Sequence, residues 1–298
     1  MLTLANDQLE VSVLDPVEDR ARLGSRYVSG GYIYVVADRK LGVLTSGPGY
    51  PREEPPPVFD GQGMPEAFRD PLWMGQEPGS SLPAEGTPML MLGVGIVQSP
   101  GRPLAHGEVY VVQEWANWQV SWQQVPGGER LTMAARQQLG GWALELTRDL
   151  TLSSRTLASV TRLANVGEGP ISFRWFPHPF FPNPQGEACK LSVPTGCPEN
   201  PGYYLAESGW VNMKVDHEWD RGGHFQALTP GVSGQPGEKE RLVVLQRHPS
   251  LGLVAAECSY VPSFIAIWGN VNTFSFEPYT ERTVAAAEVS TWSITYEF

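Results

Sequence analysis

An all-β fold, a large two-sheet antiparallel β-sandwich, is what this sequence predicts, and three observations carry that prediction. Several segments alternate apolar and polar residues with period two, the mark of a strand with one buried face. Helical periodicity is scarcely visible. The 32 glycines and 27 prolines signal many turns and little room for long helices. At 298 residues and 41% hydrophobic content the chain can bury one extended core, so residues 1–298 read as one sandwich domain.

The strands follow in order. Alternation marks 9–14 and 32–37. Residues 47–86 hold Pro and Gly throughout and keep no stable period, which predicts a long excursion that either rims a site or is partly disordered, with one helical turn near 65–69. The apolar run 89–97 (MLMLGVGIV) is about half the roughly 20 residues of a membrane helix, so it reads as a core strand. Segments 118–125 and 131–136, joined by Pro126-Gly127-Gly128, form a hairpin with Trp118, Val120 and Trp122 on one face. Further strands are expected over 142–152, 156–165, 171–175, 242–246, 252–257, 264–268 and, as one long strand, 283–298. So many strands must stack as sheets.

Composition excludes several functions. A net charge of -11 without a Lys/Arg-rich block offers no footprint for a phosphate backbone, so nucleic acid is not an expected partner, and neither is a membrane. The start of the chain has neither a basic region nor an apolar core of the export type, and the three cysteines form neither a close pair nor an even set. Reduced thiols and a cytoplasmic location are expected. No HExxH helix, P-loop, strand-linked GxGxxG or G-x-S-x-G elbow occurs, and no metal or cofactor is assigned.

Chemistry concentrates in three segments. In the run 165–182 (NVGEGPISFRWFPHPFFP) a turn and an apolar strand lead to His178, held between Pro177 and Pro179. Proline fixes its own φ and pushes the preceding residue to extended backbone, so the imidazole is aimed before any reaction starts. A second histidine, His106, stands in Pro103-Leu-Ala-His106-Gly-Glu, with Trp115 and Trp118 shortly after. The third segment, Asn272-Thr-Phe-Ser-Phe-Glu277-Pro278, places a carboxylate at the end of an aromatic strand, where burial raises a pKa toward the range useful for proton transfer.

These motifs, in this order, resemble the aldose 1-epimerase (galactose mutarotase-like) family, whose fold is a supersandwich. The resemblance implies His178 as general acid on a sugar ring oxygen, Glu277 as general base, and His106 as a substrate-binding histidine. It also implies a hydroxyl-binding aspartate, for which Asp216 and Asp220 are both open, and an arginine near the N-terminus, where Arg26 competes with Arg20 and Arg22. Trp118 and Trp175, with Trp115 and Tyr279, are candidates to line the groove. Where hexose-6-phosphate epimerase-like relatives carry an arginine soon after the HG pair, Glu108 follows Gly107 here. The expected activity is interconversion of the anomers of an aldose or sugar phosphate, without cofactor, by a monomer or homodimer. A non-catalytic carbohydrate-binding or regulatory protein is the alternative. A lyase or hydrolase ranks last, because glycoside hydrolysis normally needs two facing carboxylates.

Overall fold

The computed structural model describes residues 1–49, 61–76, 81–105, 107–230 and 241–298. Strands dominate them, and among the described residues a 3-10 turn at Arg20–Arg22 is the only helical element. No helix among the described residues is long and apolar enough to cross a membrane. Two large antiparallel sheets make the sandwich, one of ten strands and one of seven, with a four-stranded and a three-stranded sheet beside them.

The ten-stranded sheet is built on long ladders in which alternation drives one face inward. Gly128–Leu139 pairs with Asn117–Val125 on one side and Trp142–Ser153 on the other, and Thr156–Asn165 follows. The C-terminal strand Val289–Glu297 lies at the middle of this sheet, between Thr156–Asn165 and Gly252–Cys258. Leu131, Met133, Leu144, Leu146, Trp292 and Ile294 point from it into the main core.

Opposite them stands the seven-stranded sheet. Its centre is Thr273–Val284, flanked by Phe264–Gly269 on one edge and by Ile171–Pro177 on the other. Ile171, Phe173, Trp175, Ile265, Ile267, Phe274 and Phe276 enter the main core from this sheet. Its other face rests on a smaller cluster in which Tyr27, Tyr34, Ala67, Phe176, Ala266 and Tyr279 meet.

The structure corrects four readings of the sequence. Residues 66–68 form the strand Glu66–Phe68 rather than a helical turn, because hydrogen bonding to Trp175–Pro177 and burial of all three residues outweigh local preference. The segment 89–97 folds back on itself as Pro88–Met91 and Gly95–Gln98, with Gly93 and Gly95 at φ 73° and 142° allowing the reversal. The expected long strand 283–298 is two strands, separated by a turn in which Ala287 adopts φ 63° and the Glu288 carboxylate accepts the Ala285 N–H. Glu277 sits in the interior of Thr273–Val284, not at its end.

A buried ion pair joins the sheets. Arg148, 1% exposed on the ten-stranded side, donates to Glu66 of the seven-stranded side and to Thr161. Its second terminal nitrogen donates to Ser159 at 2.9 Å, and the Ser159 hydroxyl donates to the other Glu66 oxygen at 2.6 Å. The excursion 47–86 therefore returns to the core through Glu66–Phe68, while its residues 50–60 and 77–80 lie outside the described part.

Candidate active site

The central strand has a gap in its ladder. Ile171–Pro177 pairs with it only from Thr280 onward, and Phe181–Pro182 pairs with Phe274 and Thr273. Among the described residues, 275–279 therefore have a ladder on one side alone, and three prolines, Pro177, Pro179 and Pro278, fall at this gap without N–H donors to bridge it. The chain between the two short ladders hydrogen-bonds elsewhere, His178 N–H to Pro65 O at 2.8 Å and Phe180 N–H to Gly63 O at 2.7 Å. Gly63 has φ +75°, and a Cβ there would come 2.2 Å from the Tyr34 carbonyl oxygen, so glycine is required at this junction.

Period two decides what faces the gap. On Thr273–Val284 the residues Ser275, Glu277 and Tyr279 share one face, and their partners Trp268, Ala266 and Phe264 share it with them. Phe176 and His178 stand on that face while Trp175 points to the core. His178 Nδ1 lies 2.7 Å from Ser275 Oγ, and His178 Nε2 lies 3.4 Å from Glu277 Oε1. Tyr279 donates its hydroxyl to Glu277 Oε2 at 2.8 Å, and the imidazole stacks on Phe180 with centroids 4.3 Å apart.

His178, Phe180, Glu277 and Tyr279 form the inner wall of a cavity of about 720 Å³. Arg26, Tyr27, Trp268 and Phe225 complete its sides, and Leu104, Ala105, Glu108, Arg221 and Gly222 line the remainder. Arg26 donates Nε–H to the Tyr27 hydroxyl at 3.0 Å. Glu108 is held by Arg102 through contacts of 2.6 and 2.8 Å and by the Ala105 N–H at 2.7 Å, which keeps its carboxyl at about 2.

Burial sets the protonation of the pair. Desolvation pushes the Glu277 carboxyl up to about 7, against the opposing pull of the Tyr279 hydroxyl and of Arg26 and Arg69. Desolvation, reinforced by the charge of Arg26, holds the His178 imidazole well below its usual value. At 3.4 Å the two groups are just beyond an ordinary N–H···O hydrogen bond, close enough to exchange a proton through a bound hydroxyl.

Of the residues singled out from sequence, the structure brings His178, Glu277 and Arg26 to this cavity, with Tyr279. His106 lies outside the described residues. Arg20 and Arg22 lie in the 3-10 turn and do not line the cavity. Trp118 is corrected: it belongs to the ten-stranded sheet, is 4% exposed, packs on Gly30 and donates its N–H to Ser29 Oγ at 2.9 Å. Trp175 is corrected too, since strand parity turns it away from His178 into the core against Tyr260 and Trp292. Neither aspartate lines the cavity: Asp216 is exposed on a turn, and Asp220 accepts the Gly223 N–H at 3.0 Å, which leaves Arg221 and Gly222 facing the site. Trp268, Phe225, Tyr27, Ser275 and Glu108 were not anticipated. The two-residue spacing of Ser275 and Tyr279 about Glu277 is a signal for that shared face, and the alternation in FIAIWG is one for Trp268.

This architecture is the galactose mutarotase-like β-sandwich. A galactose mutarotase-like protein from Lactobacillus casei superimposes with a TM-score of 0.59 at 13% identity, covering 100% of this chain and 99% of that one. A galactose mutarotase related enzyme from Lactobacillus acidophilus gives 0.58 at 11%, over 99% and 96%. A galactose mutarotase-like protein from Clostridium acetobutylicum gives 0.57 at 11%, over 99% and 93%. At such identities the likeness is one of fold. No family model matches the sequence, and no curated protein does.

Proposed function

We propose that this protein is an aldose 1-epimerase-like isomerase that interconverts the anomers of a sugar by acid–base ring opening and reclosure. The observation that carries the reading is the buried His178–Glu277 contact of 3.4 Å, on one wall of a cavity with aromatic sides. Aromatic faces suit the C–H faces of a sugar, and Arg26 supplies donors for its oxygens.

In ring opening Glu277, ionised, takes the proton of the C1 hydroxyl while His178, protonated, gives one to the ring oxygen. The products are the open aldehyde, a neutral imidazole and a protonated carboxyl. After rotation about C1–C2 the ring oxygen returns its proton to His178 and Glu277 returns one to the carbonyl oxygen, which restores the starting pair. The pair carries one proton throughout. The arrangement that burial favours, neutral His178 beside protonated Glu277, is the one that the open-chain stage uses.

Polarimetry of freshly dissolved galactose and glucose tests the proposal. His178→Ala and Glu277→Gln are each expected to lower kcat about 10²–10⁴-fold, the range for loss of a positioned acid or base. Rates equal to wild type in both variants overturn the assignment.

A second reading, a carbohydrate-binding or regulatory protein without turnover, is favoured by one observation: neither Asp216 nor Asp220 lines the described cavity. Sugar-dependent quenching of tryptophan fluorescence with no acceleration of mutarotation selects it.

A further inference from the structure

The cavity beside His178 and Glu277 does not end at its own wall. A second one of about 250 Å³ adjoins it and shares Arg26, Leu104, Glu108 and Tyr279 with it. Tyr279 stands between them, since it lines both cavities and its hydroxyl is bonded to Glu277. Beyond it lie Ser25, Arg69, Tyr110 and Phe176. Sites of roughly 300–1,000 Å³ enclose ligands of drug size, and the first cavity, at about 720 Å³, already lies well inside that range. One pyranose ring is far smaller and leaves much of it empty.

The second chamber also has the chemistry of a sugar subsite. Tyr110, Phe176 and Tyr279 line it with aromatic surface suited to C–H groups, although Phe176 and Tyr279 each use one ring face on the other, stacked at 4.3 Å. Guanidinium donors from Arg26 and Arg69 and the Glu108 carboxylate supply complementary partners for hydroxyl groups. Glu108 is fixed in place by Arg102, so this acceptor is preorganised.

We infer that the second chamber is a subsite for a second sugar ring, and that the substrate is the reducing end of a di- or oligosaccharide, resting on the epimerase reading of the first cavity. The ring that reacts must keep its C1 hydroxyl free for Glu277. Its neighbour is therefore linked through another hydroxyl and lies across Tyr279, against Tyr110.

Anomeric exchange measured by NMR on wild-type protein, with glucose and galactose against maltose, cellobiose and lactose, tests the inference. The expected result is a kcat/KM for at least one disaccharide more than about tenfold above that of its reducing-end monosaccharide. Tyr110→Ala is expected to collapse that ratio toward one, and Tyr110→Phe to preserve it. Equal kcat/KM for mono- and disaccharides, or a ratio that Tyr110→Ala leaves intact, overturns the subsite while the epimerase reading stands. If no sugar is turned over, the epimerase reading fails, and fluorescence titration decides the subsite: tighter binding of a disaccharide by tenfold or more supports it, and equal binding overturns it.

Discussion

Glu277 carries opposite demands for folding and for chemistry. Its carboxyl is raised from an ordinary 4.5 to about 7 by burial, so between those values the unfolded chain has lost a proton that the folded chain keeps. The stabilisation is complete below 4.5 and is lost as pH rises through 7. Glu277→Gln removes this dependence, and at pH 8 it is expected to be more stable than wild type by on the order of 3 kcal/mol. Thermal melts of both proteins at pH 5 and pH 8 check this. A gap between them that is no larger at pH 8 contradicts the burial argument. The same shifts fix the pH profile of turnover. With one proton on the pair required, kcat/KM is expected to fall as pH rises through about 7, when Glu277 loses that proton. It falls again well below 6.5, when His178 accepts a second. A rate that keeps rising from pH 6 to 9 is incompatible with this order of protonation.

At the scale of elements, the short strand Glu66–Phe68 does more than its length suggests. It closes one edge of the seven-stranded sheet, receives His178 N–H through the adjacent Pro65 carbonyl, and sends Glu66 inward to Arg148. Removing one partner of a buried ion pair leaves the other charge uncompensated, at a cost of about 3–5 kcal/mol. Glu66→Ala is expected to lose that much stability in urea denaturation, whereas Glu66→Leu combined with Arg148→Met regains most of it. A Glu66→Ala protein with an unchanged midpoint removes the pair from the account of how the sheets are joined. Beside this strand, the three prolines of the ladder gap do the opposite work. They withhold hydrogen bonds where the sheet must open to admit two side chains.

For the whole molecule the telling feature is where the chain's end goes. Val289–Glu297 joins the two halves of the ten-stranded sheet and buries Trp292, Ile294 and Tyr296 in the main core. Few of these contacts can form before the rest of the chain is in place, and such non-local pairing is slow. Deletion of residues 289–298 is expected to abolish cooperative unfolding, seen as a loss of the sigmoidal thermal transition by circular dichroism. Retention of a sharp transition shows that the two halves hold without their central strand.

Local pattern was enough for the β class and for most long strands, whereas His178 and Glu277 were singled out by motifs that resemble a known family. Alternation reports burial of one face directly, and proline on either side of His178 restricts the backbone whatever surrounds it. Parity along ISFRWFPH already separates Trp175 from His178, a consequence the aromatic composition of the segment obscured. Other features have no local signature. The strand at Glu66 is made by its partners, Trp118 is claimed by a contact with Gly30 far away in sequence, and Asp220 is spent on the turn at Gly223. The distance between His178 and Glu277 is likewise a product of tertiary structure, because 99 positions separate them and only the gap between two ladders brings them to 3.4 Å. Sequence by itself determined the periodicities and the restricted backbone, since both act within a few residues. Tertiary structure decided which residues meet, because pairing and burial depend on strands that the chain supplies much later.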